Sequence, residues 1–260
     1  MLASVPADVP VVVVDNDGID APTPVPERPR LQVLREPRNL GFGAACNRGA
    51  AVATTPLILF LNPDARLRPG ALEELVSAAA RRPRAVAFNP TLLDGRGRPH
   101  AKRRSVLLPR SQWLSRVDAH SELEAPVLTG AALLVRAWAF ERVGGFDERI
   151  FLYHEDDDLS LRLRRFGPLW LVPDAVVDHA EGRSSARDAA MAAWKGRHQG
   201  RSRVYAARKH RVPFGTARVL ARAVLACLHP FVLVPRKRRK AWGYLRGVLD
   251  GMRSPVSPDG

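Results

Sequence analysis

The stretch VVVVDNDGID, residues 11–20, runs four valines into an Asp-Asn pair. A β-branched run that does not alternate is the pattern of a strand buried on both faces, as in a parallel α/β sheet. Its carboxyl end delivers Asp15, and in open α/β sheets ligands bind beyond the carboxyl ends of the strands. Only ten residues precede this strand, which leaves open what it packs against.

Working outward, LQVL (31–34) reads as a second strand. NLGFGAACNRGAAVAT opens a small-residue helix from about 43 to 53. LILFL (57–61) is a fully apolar third strand that ends in NPDARL. Pro69 starts a helix through ALEELVSAAARR, with Leu72, Leu75, Val76 and Ala79 on one face. AVAFNP (85–90) is another strand, while 91–120 is polar, basic and without clear periodicity. A strand at 131–135, a short helix at 137–143 and a Gly-Gly break lead to the loop FDERIFLYHEDD. DLSLRLRRFG is a helix with acids in its first turn, arginines in its last and Gly167 as its stop. LWLVPDAVVDHAEG supplies the last strands. Strands alternating with helices predict an α/β layer structure.

The charge is unevenly placed. The formal +15 lies almost entirely in residues 181–260, which carry 18 Lys and Arg against 4 Asp and Glu. A near-neutral body therefore carries a strongly basic C-terminal tail, suited to an anionic membrane, nucleic acid or an acidic partner. Cys46 and Cys227 match no zinc or redox spacing and read as small buried hydrophobes, in keeping with a cytosolic setting. The N-terminus lacks the charged-then-apolar pattern of a secretory signal.

Several stretches can carry chemistry. LFLNPDA places Asn62 and Asp64 in a turn at a strand tip, where oxygens suit a hard divalent cation that also grips phosphates. The same pair also suits an Asx turn that caps the strand. Four acids in a row, Glu155 to Asp158, stand at a helix start. One or two would complement the macrodipole; four crowded like charges cost energy unless a cation or a reacting proton uses them. A carboxylate there can accept a proton from a hydroxyl. His179 ends an apolar strand near further acids, as a structural residue or a ligand. Gly41-x-Gly43-x-x-Cys46 mimics a dinucleotide fingerprint, but REPRN separates it from the preceding strand and a cysteine stands for the third glycine.

Taken in order, VVVVDNDGID, NLGFGAACNRGA, LILFLNPDARL, TGAALLVRAWAFERVGGFDERIFLYHEDDDLSLRLRRFG and VPDAVVDHAEGRSS resemble the family 2 glycosyltransferases, in their bacterial rhamnosyltransferase-like branch. The resemblance spans roughly residues 9–210. It implies a GT-A fold, a mixed and mostly parallel sheet flanked by helices, and inverting transfer of a sugar from a nucleoside diphosphate donor, dTDP-rhamnose or a UDP-sugar. Residue by residue, Asp15 matches the acid that contacts the nucleobase. Asp64 matches the last acid of a DxD-type motif that holds Mg²⁺ or Mn²⁺, with Asn62 in the place of the first. Asp156 matches the catalytic base, with Glu155 beside it. His179 matches a histidine that joins the metal site in some relatives. Asn39, Gly41 and Asn47 match a motif near the donor pocket. Glycosyl transfer needs a neutralised leaving diphosphate and a base for the attacking hydroxyl, and these residues supply both.

The family begins with a strand and a helix that this chain lacks, so Val11–Val14 correspond to the second strand. A start placed too far downstream, or a truncation, would account for this. The truncation would leave a non-catalytic scaffold as the alternative function. The expected organisation is an N-terminally incomplete GT-A domain over 1–205 and a basic amphipathic helical region over 206–260. FGTARVLARAVLACLHPFVLVPRKRRKAW is broken by Arg218, Arg222 and Pro230, too interrupted to span a bilayer. An amphipathic helix followed by PRKRRK suits an anionic membrane surface, so the enzyme is expected at the inner face of the plasma membrane, near a glycan or lipid-linked acceptor. Nucleic acid is not expected, because no recognition motif or aromatic platform accompanies the charge.

Overall fold

A computed structural model describes residues 1–16, 25–115, 122–179 and 188–254. The proline-rich connection at 21–30 lies partly outside them, and AEGRSS after His179 lies wholly outside. The chain forms two compact units, one of Met1–Ser105, Arg110–Asp147 and Asp156–Ser184, the other of Val106–Pro109, Glu148–Glu155 and Ser185–Gly260.

In the first unit, β1 (Val11–Asp15) pairs in parallel with β2 (Leu31–Arg35), Val11 opposite Leu31 and Asp15 opposite Arg35. Helix α1 (Phe42–Ala50) lies against this pair, and Gly49 permits the approach: a Cβ there would come within 3.2 Å of Val14. Val11–Val14 are only half-buried, which corrects the expectation of a strand enclosed on both faces. Among the described residues β1 has a strand partner on one edge alone.

The main sheet has seven strands. They are β3 (Leu57–Leu61), β4 (Ala65–Leu67), β5 (Ala87–Leu93), β6 (Pro99–His100), β7 (Leu123–Glu124), β8 (Ala132–Arg136) and β9 (Leu169–His179), in the order β3-β8-β5-β9-β4, with β6 on β5 and β7 on β9. The sheet is mixed, as expected, but its pairs are mostly antiparallel. Only β5–β9 is parallel within it. The reason is topological: β8 enters between β3 and β5 against their common direction. A register shift at Pro90/Thr91 breaks the β5–β9 ladder where Pro90 and Pro173 lack donors.

Alternate side chains of the central strands serve two faces. Ala87, Leu133 and Val135 join Phe60, Phe140 and Phe146, whose rings pack at centroid distances of 5.0–5.6 Å. This layer takes in α3 (Ala137–Arg142) and α4 (Glu155–Leu163). On the other face Phe88, Leu134 and Val172 meet α2 (Ala71–Arg81). The buried stripe of α2 is Ala71, Leu75, Ala78 and Ala79. Val76, expected on that stripe, is exposed; the alanines let the helix sit close to the sheet and turn Val76 outward.

The second unit is built on α5 (Ala189–Lys209), α6 (Gly215–Leu228) and α7 (Pro235–Arg253). Helices α5 and α7 meet backbone to backbone along Gly196 and Gly200 on one side and Gly243 and Gly247 on the other. A Cβ at any of these would strike main-chain atoms of the facing helix. Arg208 closes the C-terminal end of α7 by donating to the carbonyls of Gly251, Met252 and Ser254. Among the described residues no helix is long and apolar enough to cross a membrane.

Candidate active site

The third strand brings Asn62 and Asp64 into the turn between β3 and β4. Strand β4 pairs with the end of β9, Ala65 opposite His179, and this register carries His179 to the turn. Its Nε2 lies 3.3 Å from Asp64 Oδ1 and 3.5 Å from Asn62 Nδ2. Asn62 Oδ1 and His179 Nδ1 are buried without a hydrogen-bond partner. A carboxylate, an amide and an imidazole thus lie together, and two of their buried polar atoms have no hydrogen-bond partner. That donor set fits Mg²⁺ or Mn²⁺, with phosphate oxygens completing the shell. Among the described residues no three His, Cys, Asp or Glu side chains form such a group.

The turn is joined to the acidic helix start by residues 129–132. Asn62 N–H donates to the Ala131 carbonyl (2.9 Å), and the neighbouring Gly130 N–H donates to Asp156 Oδ2 (3.2 Å). Buried Asn89 holds this segment, donating to the carbonyls of Thr129 and Ala132 and accepting from Thr129 N–H. Ser160 on α4 accepts from Leu128 N–H.

Asp156 begins α4 with its two oxygens unequally used. Oδ1 faces the Lys102 ammonium at 2.7 Å and accepts from Asp157 N–H at 2.8 Å. Oδ2 receives the longer Gly130 bond. Lys102 also reaches Asp157 Oδ1 at 3.0 Å. Burial alone would lower the pKa of Lys102, but its two carboxylate neighbours outweigh burial and hold it above the ordinary lysine value. Asp158, fully buried, pairs with Arg162, which also donates to the carbonyls of Val143 and Gly145. Glu155 is buried too, and its charge, after burial, raises the Tyr153 pKa.

The remaining expected residues are anchors. Asp15 is buried at the tip of β1. Beside it Asn16 accepts from Leu40 N–H and donates to the Gly41 carbonyl and to Asn39 Oδ1, which also accepts from Gly41 N–H. Asn39 and Gly41 thus fasten the start of α1 to the β1 tip, and Gly41 takes φ 87° there. Asn47 bonds both main-chain groups of Phe146 in the GGFDE turn.

The profile described as glycosyl transferase family 2 matches residues 6–144. The chain is a family 2 glycosyltransferase. It is 37% identical over 217 residues, 70% of either chain, to the N-acetylglucosaminyl-diphospho-decaprenol L-rhamnosyltransferase of Mycobacterium tuberculosis. Among solved structures it is similar to a mannosyltransferase from Pyrobaculum calidifontis in complex with GDP-Man and Mn²⁺. That likeness has a TM-score of 0.53 at 15% identity, covering 95% of this chain and 79% of that one. It is also similar to GalNAc-T7 with UDP, GalNAc and Mn²⁺, again at TM-score 0.53 and 15% identity, over 81% of this chain and 43% of that one. These likenesses show the GT-A fold.

In this glycosyltransferase the residues that sequence reasoning missed lie in the unassigned segment. Strand β6 pairs with the end of β5. It places the His100 ring 6.5 Å from that of His179, and Lys102 follows two residues later. The charge arithmetic contained the signal: adjacent acids need cations, and Lys102 serves Asp156 and Asp157 while Arg162 serves Asp158.

Proposed function

We propose that the protein is an inverting, metal-dependent glycosyltransferase that moves a sugar, rhamnose from dTDP-rhamnose foremost, onto a lipid-linked or cell-envelope polysaccharide acceptor. One observation carries the reading. A cation-compatible cluster (Asn62, Asp64, His179) and a carboxylate with one committed oxygen (Asp156) are tied to adjacent residues, Ala131 and Gly130. Asp156 takes the proton of the acceptor hydroxyl on Oδ2 while Lys102 and the Asp157 N–H hold Oδ1. Asp64, Asn62 and His179 would hold Mg²⁺ or Mn²⁺, which when bound neutralises charge on the leaving diphosphate. Asp15 contacts the nucleobase from the β1 tip, which Asn39 and Gly41 keep in place. The likeness to a rhamnosyltransferase whose name specifies a decaprenol-linked acceptor supports the sugar and acceptor class. Catalysis belongs to the first unit. The C-terminal helices hold the enzyme peripherally at the cytoplasmic face of the membrane that carries such acceptors.

The test is Asp156→Asn, which keeps the side chain's size and removes the base. Transfer from dTDP-rhamnose to a polyprenyl-diphosphate-linked acceptor should fall by about 10²–10⁴-fold, with nucleotide binding by calorimetry unchanged. Equal transfer by both proteins would remove Asp156 from the reaction. Neither transfer nor donor binding by the unsubstituted chain would favour the scaffold that has lost donor binding.

A further inference from the structure

The C-terminal helices leave an apolar corner uncovered. Val219 and Ala223 of α6 are buried against Val204 of α5 and Val248 of α7. That packing turns the other side of α6 outward. Leu225, Leu228, Phe231, Leu233 and Val234 are exposed by 64, 74, 59, 83 and 48%. They occupy ten consecutive positions, the end of α6, a 3-10 turn at Pro230–Leu233 and the entry to α7. Side chains of this size are seldom left clustered in water without a partner.

The charge beside them is placed against local interest. Arg236, Lys237, Arg238, Arg239 and Lys240 are all exposed and fill the first turns of α7. A helix N-terminus is the positive end of the macrodipole, where cations are unfavourable. No acid stands in the first turn, and none occurs between Asp188 and Asp250 in the sequence. Lys237 Nζ lies 4.4 Å from the Phe231 ring centroid, so the cations adjoin the apolar corner. Intrahelical stability does not explain this run; an external anionic surface does.

We infer that the α6–α7 corner is a membrane anchor, in which Leu225, Leu228, Phe231, Leu233 and Val234 enter the acyl layer and Arg236–Lys240 lie against anionic phospholipid headgroups. This refines the expectation of an amphipathic helix lying flat: Val219 and Ala223 are occupied by packing, so the inserting element is the corner. The exposed set is aliphatic apart from one phenylalanine, which suits acyl chains and offers no series of stacking platforms for bases. The inference deepens the peripheral location proposed above and needs no donor or metal.

The test uses the full chain with vesicles of phosphatidylcholine alone, or with about one third phosphatidylglycerol, read by co-sedimentation at two salt concentrations. Binding to the anionic vesicles is expected, weakening as salt rises. The double variant Leu228→Ser, Leu233→Ser should lose about tenfold or more in vesicle affinity with an unchanged melting temperature, since both side chains are exposed. Replacing residues 236–240 by glutamine should abolish the preference for anionic vesicles. Equal binding to neutral and anionic vesicles, no effect of either variant, or binding to duplex DNA but not to vesicles would overturn the anchor. Because vesicle binding is read without substrate, a failed transferase assay leaves this result intact, and the reverse.

Discussion

At the residue scale, Lys102 decides how Asp156 behaves. Its half-buried ammonium is shared by the adjacent carboxylates of Asp156 and Asp157, and offsets their mutual repulsion. Removing this cation leaves two neighbouring carboxylates, one buried and one half-buried, without their shared counter-charge. Lys102→Met is therefore expected to destabilise the fold and to slow transfer. Turnover should fall about 10–100-fold at neutral pH, and Lys102→Arg should restore part of it. A variant of equal stability and equal turnover would make Lys102 a bystander. Lys102 was not legible as a partner in the sequence, because HAKRR reads as one more basic run. The need for a partner was legible, in the four consecutive acids it helps to neutralise.

At the element scale, the β5–β6 hairpin brings His100 and Lys102 to the site, and Asp94 closes it. Its carboxylate accepts from the backbone N–H of Arg98, the Arg98 guanidinium and the Arg96 N–H, and these hold its pKa down to about 2. A folded-state pKa below the ordinary carboxylate value contributes stability at higher pH, lost as pH falls through the folded value. The Asp94 contribution is thus complete above about pH 4 and is lost toward pH 2. Asp94→Asn should flatten the fall in melting temperature across that window; parallel curves for the two proteins would contradict this. The α5–α7 pair depends on a different property, the absence of side chains. Gly247→Ala places a Cβ on the Arg197 carbonyl of the facing helix. The gain in helix propensity, about 1 kcal/mol, is smaller than the cost of forcing backbones apart, so a net loss of about 1–3 kcal/mol is expected by chemical denaturation. Gly95→Ala, where a Cβ meets nothing within 4 Å, is the neutral control. The helical character of 206–260 was legible in the sequence; α5 and the glycine seam were not, because the two halves of the seam are distant in the chain.

At the scale of the whole molecule, the cation cluster exists only when the sheet is complete. Asn62 and His179 are 117 positions apart and meet through the β4–β9 register. A ligand that binds this cluster binds only the folded chain, so Mn²⁺ with UDP or dTDP should raise the melting temperature. At a hundredfold excess over Kd the stabilisation is about 2.7 kcal/mol. Asp64→Ala should remove the metal-dependent part of that shift; an identical shift in the variant would place the metal elsewhere.

The sequence by itself determined the family, the longer apolar strands and the helices α1 to α4, and the acids Asp64 at a strand tip and Asp156 at a helix start. Each is encoded in a short contiguous run, where apolar periodicity and local chemistry act over a few residues. Only the tertiary structure decided that His179 lies beside Asp64, that Lys102 holds Asp156, that β8 enters antiparallel between β3 and β5, and that the end of α6 remains uncovered. Those outcomes depend on strand register and on which helix faces pack together, and contacts between distant segments leave no local pattern from which to read them.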